Sequence, residues 1–185
     1  MKKQFLTVRD MTYCAIGASL LSVCAWISVP VLEIAFTMQT FGVFLILGAL
    51  GGRRGSVSIL VYLLLGAVGL PVFSGFRGGL GVLAGVTGGY IWGFLAAGLI
   101  YWLITALAHN TLWSRIVGMV AGMVLCYACG TAWFAYIYAG DTPMTLWAVA
   151  MKCVVPYLIP DGIKLILAFL LSIKLEKVLD KSAKS

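Results

Sequence analysis

Long apolar runs alternate along the chain with short connections that hold most of the charged residues and glycines. Six runs reach or approach the length of about 20 apolar residues that a helix needs to cross a bilayer. They cover residues 11–31, 40–50, 56–70, 90–108, 116–139 and 160–178, of which the second is short. A further apolar stretch, 142–156, ends at a proline and predicts an outer-surface helix that leads into the last run. The pattern predicts an all-α membrane protein, a bundle of six transmembrane helices.

The composition supports this class. Hydrophobic residues make up 62% of the 185 residues, charged residues make up 10%, and the mean hydropathy is +1.06. A soluble domain has about a quarter charged residues, so lipid has to be the solvent of this chain. We expect one membrane domain over residues 1–185, with short cytoplasmic tails at roughly 1–10 and 179–185.

The distribution of positive charge predicts the orientation. With six crossings and both termini in the cytoplasm, 10 of the 13 lysines and arginines fall inside. These ten are Lys2, Lys3, Arg9, Arg53, Arg54, Arg115, Lys174, Lys177, Lys181 and Lys184. Arg77 and Lys152 fall outside, and Lys164 lies in the last run. Cytoplasmic loops of membrane proteins carry such an excess, so the net charge of +7 indicates topology, and we expect no nucleic-acid partner.

Two charged residues, Asp161 and Lys164, interrupt the last apolar run. A charge at the bilayer centre costs about 2.5–3.5 kcal/mol on insertion scales. Three residues apart on a helix, the two side chains project from one face and reach each other or a common ligand. They are the first candidates for a binding site. The alternative is an internal ion pair near the start of the last helix, and Pro160 is predicted to lie in the first turn of that helix.

The predicted external connection 69–89 is unusual, because its 21 residues include eight glycines. Loops of this length are usually functional or disordered, and Phe73 and Phe76 argue against disorder. We expect it to fold over a cavity above Asp161; close packing of small residues between helices is the alternative. Arg77 in this loop offers a donor fork suited to a carboxylate. Gln39, at the outer start of the second run, is either a ligand contact or a helix cap.

Two further groups of residues are candidates for contacts between helices or with a partner protein. The first helix carries small residues at spacings of three and four: Ala15, Ala18, Ser19 and Ser22. Such faces let backbones approach closely, within this bundle or against another protein. The segment 51–55 predicts a tight cytoplasmic turn, whose Arg53 and Arg54 are either topological anchors or partner contacts.

The sequence offers no pattern for catalysis. It contains no phosphate-binding loop and no metal-ligating cluster of His, Cys and Asp. Cys126 and Cys129 have the spacing of a redox or metal pair, but they lie in an apolar run and are predicted to be buried structural thiols. We therefore expect a binding protein that is not an enzyme, without metal or cofactor. Any ATP hydrolysis would come from another chain.

Several ordered segments resemble the BioY family, the biotin-binding S components of energy-coupling factor (ECF) transporters. They are Thr37-Met38-Gln39-Thr40-Phe41, the turn 51–55, the run 63–73, Gly85-Val86-Thr87-Gly88-Gly89-Tyr90, and Pro160-Asp161-Gly162-Ile163-Lys164. The resemblance covers most of residues 8–175. It implies a biotin site near the external surface, with Asp161 and Lys164 as its polar contacts and Gly88 and Gly89 in the adjoining motif.

The resemblance also implies partners: a transmembrane coupling protein and two ATPase subunits, docked partly through small residues of the first helix. The location it implies is the cytoplasmic membrane of a prokaryote. Biotin would be the substrate, and ATP would be used by the partner subunits only.

Biotin chemistry suits the candidate residues. Its ureido ring offers N–H donors to Asp161 and a carbonyl to Lys164, while Phe73, Phe76 and Tyr90 are candidates for apolar walls. Some relatives carry an arginine where this chain has Ile91, so the biotin carboxylate is assigned here to either Arg77 or Lys164. Three alternatives stay open: an S component for another vitamin, a stand-alone secondary carrier, and a structural membrane protein without a ligand.

Overall fold

Seven helices make up most of the computed structural model, which describes residues 7–29, 35–138 and 145–184. They are α1 (Val8–Trp26), α2 (Gln39–Ala67), α3 (Leu80–Ala84), α4 (Gly88–Leu107), α5 (Leu112–Tyr138), α6 (Leu146–Cys153) and α7 (Val155–Lys184). Two short strands, β1 (Ser28–Val29) and β2 (Phe36–Thr37), pair antiparallel, and a 3₁₀ turn spans Ser74–Phe76. Lys2 and Lys3, counted in the charge prediction, lie outside the described residues, as do residues 30–34 and 139–144.

Helix α1 starts at a capping box and ends earlier than predicted. The Thr7 hydroxyl accepts from the Asp10 amide at 3.2 Å, and the Asp10 carboxylate accepts from the Thr7 amide at 2.9 Å. This reciprocal pair satisfies amides that no helical carbonyl can reach. The predicted helical run to residue 31 is wrong at its outer end, because the helix stops at Trp26 and Ser28 pairs with Thr37 in the hairpin. Apolar residues suit either structure, so hydropathy alone does not separate them.

Helix α2 folds back on itself at Gly51, whose φ of 80° is left-handed and favours glycine. The Gln39 amide donates to the Tyr62 hydroxyl at 2.8 Å, although 23 residues of straight helix would separate them by about 35 Å. A Cβ on Gly55 would lie 3.0 Å from the Leu47 Cα. The arms therefore run side by side and match the predicted runs 40–50 and 56–70. The reversal needs one residue, since 52–55 are helical rather than a turn.

The last helix begins before its predicted start. Helix α6 meets α7 at a bend of 50°, and α7 opens at Val155, so Pro160 lies inside it. The prediction that Pro160 starts this helix is wrong. Pro156 occupies the first turn instead, where the missing N–H costs nothing. Either proline is compatible with the first turn of a helix, so the sequence alone does not tell which of the two opens α7.

Three of the described helices, α2, α4 and α5, are long and apolar enough to cross a bilayer, and the bent pair α6–α7 makes a fourth candidate. The protein is thus a multi-pass, all-α membrane protein. The core lies where the arms of α2 pack against α1, α4 and α7, around the fully buried Leu47, Ile59, Tyr62 and Tyr101. Six crossings with cytoplasmic termini remain a prediction.

Polar contacts gather several helix ends at one end of the bundle. Arg54, just after the α2 reversal, pairs with Asp10 of α1 at 2.6 Å. Arg115, at the start of α5, pairs with Glu176 of α7 at 2.7 Å and donates to the Gly48 carbonyl. We call this the basic end, because it holds Arg9, Arg53, Arg54, Arg115, Lys174 and Lys177.

Candidate ligand-binding site

A cavity of about 440 Å³ lies at the end of the bundle opposite the basic end. Its walls come from β2, the start of α2, the segment 73–87, and helices α4, α5, α6 and α7. The apolar walls include Phe73, Ile91, Phe94 and Tyr157. A pocket of this size, mostly apolar with a few convergent polar groups, is typical of small-molecule sites.

The carboxylate of Asp161 is buried at the cavity and accepts three hydrogen bonds. Its Oδ1 accepts from the Thr40 hydroxyl at 3.0 Å and from the Lys164 ammonium at 2.8 Å. Its Oδ2 accepts from the Tyr127 hydroxyl at 2.6 Å. Charge-assisted hydrogen bonds of this kind offset the cost of burying the carboxylate and fix its orientation.

The ammonium of Lys164 is also buried and well supplied with partners. Besides Asp161, it donates to the Thr37 carbonyl at 2.7 Å, and a longer contact of 3.5 Å reaches the Thr40 hydroxyl. It lies 3.6 Å from the centroid of the Phe36 ring, within range of a cation–π interaction. The pair is therefore the centre of a network that joins β2, α2, α5 and α7.

The glycine-rich segment 69–89 lies over the cavity and is anchored at both ends. The Trp26 indole donates to the Pro71 carbonyl at 2.8 Å, and the Trp133 indole donates to the Gly85 carbonyl at 3.0 Å. Phe73 is 1% exposed and packs edge-on against Tyr62. The segment is therefore held against the bundle near both of its ends, and between them it contains the 3₁₀ turn and α3.

Comparison with known proteins identifies the family to which this chain belongs. A model of the BioY family matches residues 1–181. The chain belongs to the BioY family. The resemblance drawn from the sequence motifs is confirmed, and with it the class of membrane binding protein rather than enzyme.

Two relatives and one solved structure illustrate the similarity. "Biotin transporter BioY" of Thermotoga maritima is 37% identical, over 92% of this chain and 98% of the relative. "Biotin transporter BioY2" of Lactococcus lactis subsp. cremoris is 33% identical, over 95% of this chain and 94% of the relative. A crystal structure described as the S-component for biotin from an ECF-type ABC transporter superposes with a TM-score of 0.78 at 20% identity, covering 94% of this chain and 92% of that chain. At that identity the superposition shows the shared fold.

Within this BioY fold, the cavity brings together six of the predicted site residues. Asp161, Lys164, Arg77, Gln39, Tyr90 and Phe73 all line it. Gln39 is also bound to Tyr62 and Thr37, so its amide is held in place as well as facing the cavity. Arg77 is exposed at the cavity margin, where its Nε donates to the Ser74 carbonyl at 3.1 Å.

Three predicted site residues lie outside the cavity lining. Phe76 is 64% exposed and stacks on Trp26, with ring centroids 5.2 Å apart. Gly88 and Gly89 are buried behind the wall, where a Cβ would lie 1.9 Å from the Leu83 carbonyl oxygen and 2.2 Å from the Trp133 Cβ, respectively. These glycines permit close packing at the start of α4, which is a supporting position.

The cavity also includes residues that sequence reasoning missed. Thr40 and Tyr127 donate to Asp161, the Thr37 carbonyl accepts from Lys164, and all three residues line the cavity. Phe36 was missed as well; its ring contacts the Lys164 ammonium from outside the lining. Thr37 and Thr40 lie within two residues of Gln39, so their proximity in sequence to a candidate ligand contact could have marked them as site residues. Tyr127 carried a weaker signal, as one hydroxyl within an apolar run of α5.

The predicted docking residues separate into two groups. On α1, Ala18 and Ser22 are buried in the bundle, whereas Ala15 and Ser19 are exposed. Arg53 and Arg54 lie at the basic end, and Arg54 is occupied with Asp10. The small-residue face therefore serves internal packing with one half and leaves the other half open.

Proposed function

We propose that this chain binds biotin in the cavity and mediates its uptake as the S component of an ECF-type transporter. The observation that carries the proposal is the buried Asp161–Lys164 pair at a cavity of about 440 Å³ in a BioY-family chain. The proposed setting is the cytoplasmic membrane of a prokaryote, with six crossings and both termini inside. The clustering of arginines and lysines at the basic end supports that orientation.

The head group of biotin matches the polar floor of the cavity. A cyclic urea is neutral and offers N–H donors and a carbonyl acceptor, and Asp161 is held as an acceptor by three donors. The thiophane ring and the chain of the tail are apolar, and Phe73, Phe94 and Tyr157 supply matching walls. An ionised pair that is already neutralised internally favours an uncharged head group over a charged one.

The carboxylate of the tail is assigned to Arg77 rather than Lys164. The Lys164 ammonium has short contacts to Thr37 and Asp161 and lies over Phe36, so it has little capacity for a second anion. The Arg77 Nη nitrogens make no hydrogen bond to the residues that the structure describes, and the side chain lies at the cavity margin. A guanidinium there can meet a carboxylate with two parallel hydrogen bonds.

The proposed partners are a transmembrane coupling protein and two ATPase subunits, which supply the ATP hydrolysis. The exposed half of the α1 face, Ala15 and Ser19, supports a helix–helix contact, because small residues let backbones approach in lipid. Arg53 at the basic end is the accompanying polar candidate.

Equilibrium binding of biotin to the purified protein in detergent tests the proposal. We expect saturable binding at one site per chain, with competition by unlabelled biotin and none by other vitamins. Competition by another vitamin in place of biotin would redirect the substrate assignment. Uptake into vesicles lacking ATP and partner proteins would instead favour a stand-alone carrier.

A further inference from the structure

The hydrogen bonds of Asp161 leave one position open to a ligand. A carboxylate has about four lone-pair sites, two on each oxygen. Thr40 and Lys164 occupy both sites of Oδ1, and Tyr127 occupies one site of Oδ2. Among the described residues no further donor is bonded to Oδ2, and Asp161 lines the cavity. The remaining site is therefore on Oδ2, beside Tyr127.

The ring of Tyr127 has a second role as a wall. Besides lining the cavity, Tyr127 lines a shallow apolar groove on the outer side of α5 and α6, with Ala128, Thr131 and Trp147. The side chain thus lies between the cavity that holds the buried pair and this groove. Its hydroxyl and its ring are separable by substitution, since phenylalanine keeps the wall and removes the donor.

We propose that Tyr127 is a positioning residue that determines specificity through its hydroxyl. The hydroxyl leaves Asp161 a single acceptor site, on Oδ2, for one N–H of a cyclic urea. The hydroxyl holds the carboxylate plane and occupies one Oδ2 site, so an N–H of the head group meets the Oδ2 site that stays open. This inference deepens the proposed function and rests on it. It follows from the position of Tyr127, at 2.6 Å from Oδ2.

The test combines a substitution with a matched change in the ligand. Tyr127→Phe is compared with Tyr136→Phe, which removes a hydroxyl from the same helix at a side chain that is 77% exposed. The ligands are biotin, biotinamide, and the two carbamate analogues in which one or the other ureido N–H is replaced by a ring oxygen. Dissociation constants are measured by calorimetry on the purified full chain in detergent, and thermal melting reports the fold of each variant.

We expect Tyr127→Phe to weaken biotin and biotinamide by the same factor, about tenfold, as for a hydrogen bond to a charged group. One of the two carbamates should lose affinity for the wild type and be nearly insensitive to Tyr127→Phe, because its contact with Oδ2 is already absent. Tyr136→Phe should change none of the constants.

Three results would overturn the inference. An equal loss for all four ligands would mean that Tyr127 acts only on the general structure. Unchanged affinity for biotin in Tyr127→Phe would remove the hydroxyl from recognition. No binding of biotin to the wild type would refute the proposed function, and this inference with it, whereas the first two results would leave the biotin site intact.

Discussion

The two ends of the bundle use the same ion-pair chemistry for different purposes. At the basic end, Asp10–Arg54 joins α1 to α2 and Arg115–Glu176 joins α5 to α7, so each pair links two helices. At the cavity end, Asp161 and Lys164 lie three residues apart on α7, and both are buried. Their mutual bond ties no helices together. A buried pair that lines a cavity and adds no inter-helix link between its own members supports the proposed binding role, although its other partners also join β2, α2 and α5 to α7.

The pairs at the two ends also differ in their exposure and in the number of other residues that bond to them. Arg54 is 42% exposed, and pairs at such positions contribute about 0–1 kcal/mol. The cavity pair instead draws in Thr37, Thr40 and Tyr127 from other elements. Breaking a buried pair on one side costs about 3–5 kcal/mol, because the remaining charge is left without its partner. Substitutions at the two ends should therefore separate binding from stability.

The largest expected effect is on biotin binding when the cavity pair is removed. Asp161→Asn and Lys164→Ala should each weaken biotin by about 10- to 150-fold, as expected for lost hydrogen bonds to a charged group. Each single variant should also melt at a lower temperature, because one buried charge remains. Binding is measured by calorimetry and stability by thermal melting.

The double variant Asp161→Asn with Lys164→Met separates the two causes. Removing both charges should recover most of the lost stability, while biotin binding should remain weak. Recovery of wild-type affinity in the double variant would show that the pair only stabilises the fold.

The next effect is on stability at the basic end. Arg115→Met leaves the Gly48 carbonyl and Glu176 without their donor, which should cost about 1–3 kcal/mol of unfolding free energy. Biotin affinity of the folded variant should stay close to wild type. Thermal melting and calorimetry give both values, and Lys174→Met, at an exposed position on α7, serves as the control. A large loss of affinity in Arg115→Met would contradict the separation of the two ends.

A smaller effect is expected at the cavity margin. Arg77 is exposed, so its pairing with the biotin carboxylate should contribute about fivefold in affinity. Arg77→Ala should weaken biotin by this factor and leave biotinamide, which lacks the negative charge, unchanged. Equal losses for the two ligands would exclude charge pairing by Arg77.

The smallest effect concerns acid stability at the basic end. The Thr7 amide and hydroxyl and Arg54 lower the pKa of Asp10 to about 2, from an ordinary value of 3.8. Because the folded pKa is the lower one, the stabilisation by Asp10 is present above pH 4 and is lost as the pH falls toward 2. Asp10→Asn should melt below wild type at pH 6, and the difference should shrink at pH 2.5. A constant difference across this range would rule out ionised Asp10 as the source.

The sequence predicted the parts of the fold that depend on local pattern. The apolar runs located α4 and α5 within a few residues, and the glycines at 51 and 52 marked the reversal in α2. The paired charges marked the cavity because a charge within an apolar run is rare. The end of α1 at Trp26 and the start of α7 at Val155 escaped, since apolar residues and two prolines satisfied more than one structure.

Contacts between distant residues explain what was missed at the site. Thr40 and Asp161 are 121 positions apart, and no local pattern brings them together. The same holds for Tyr127, whose hydroxyl is directed to the cavity by the packing of α5. Phe76 is the opposite case, a residue that was predicted to line the site and does not. An aromatic residue near Phe73 is compatible with either side of the segment, and here it packs outward on Trp26.

An experimental structure of the protein with biotin bound tests the central claim most directly. We predict the ureido ring at the Asp161 carboxylate, with one N–H within hydrogen-bonding distance of Oδ2, and the tail carboxylate at Arg77. Biotin seated elsewhere, or a cavity closed to it while Asp161 and Lys164 bond only to each other and their protein partners, would contradict the account.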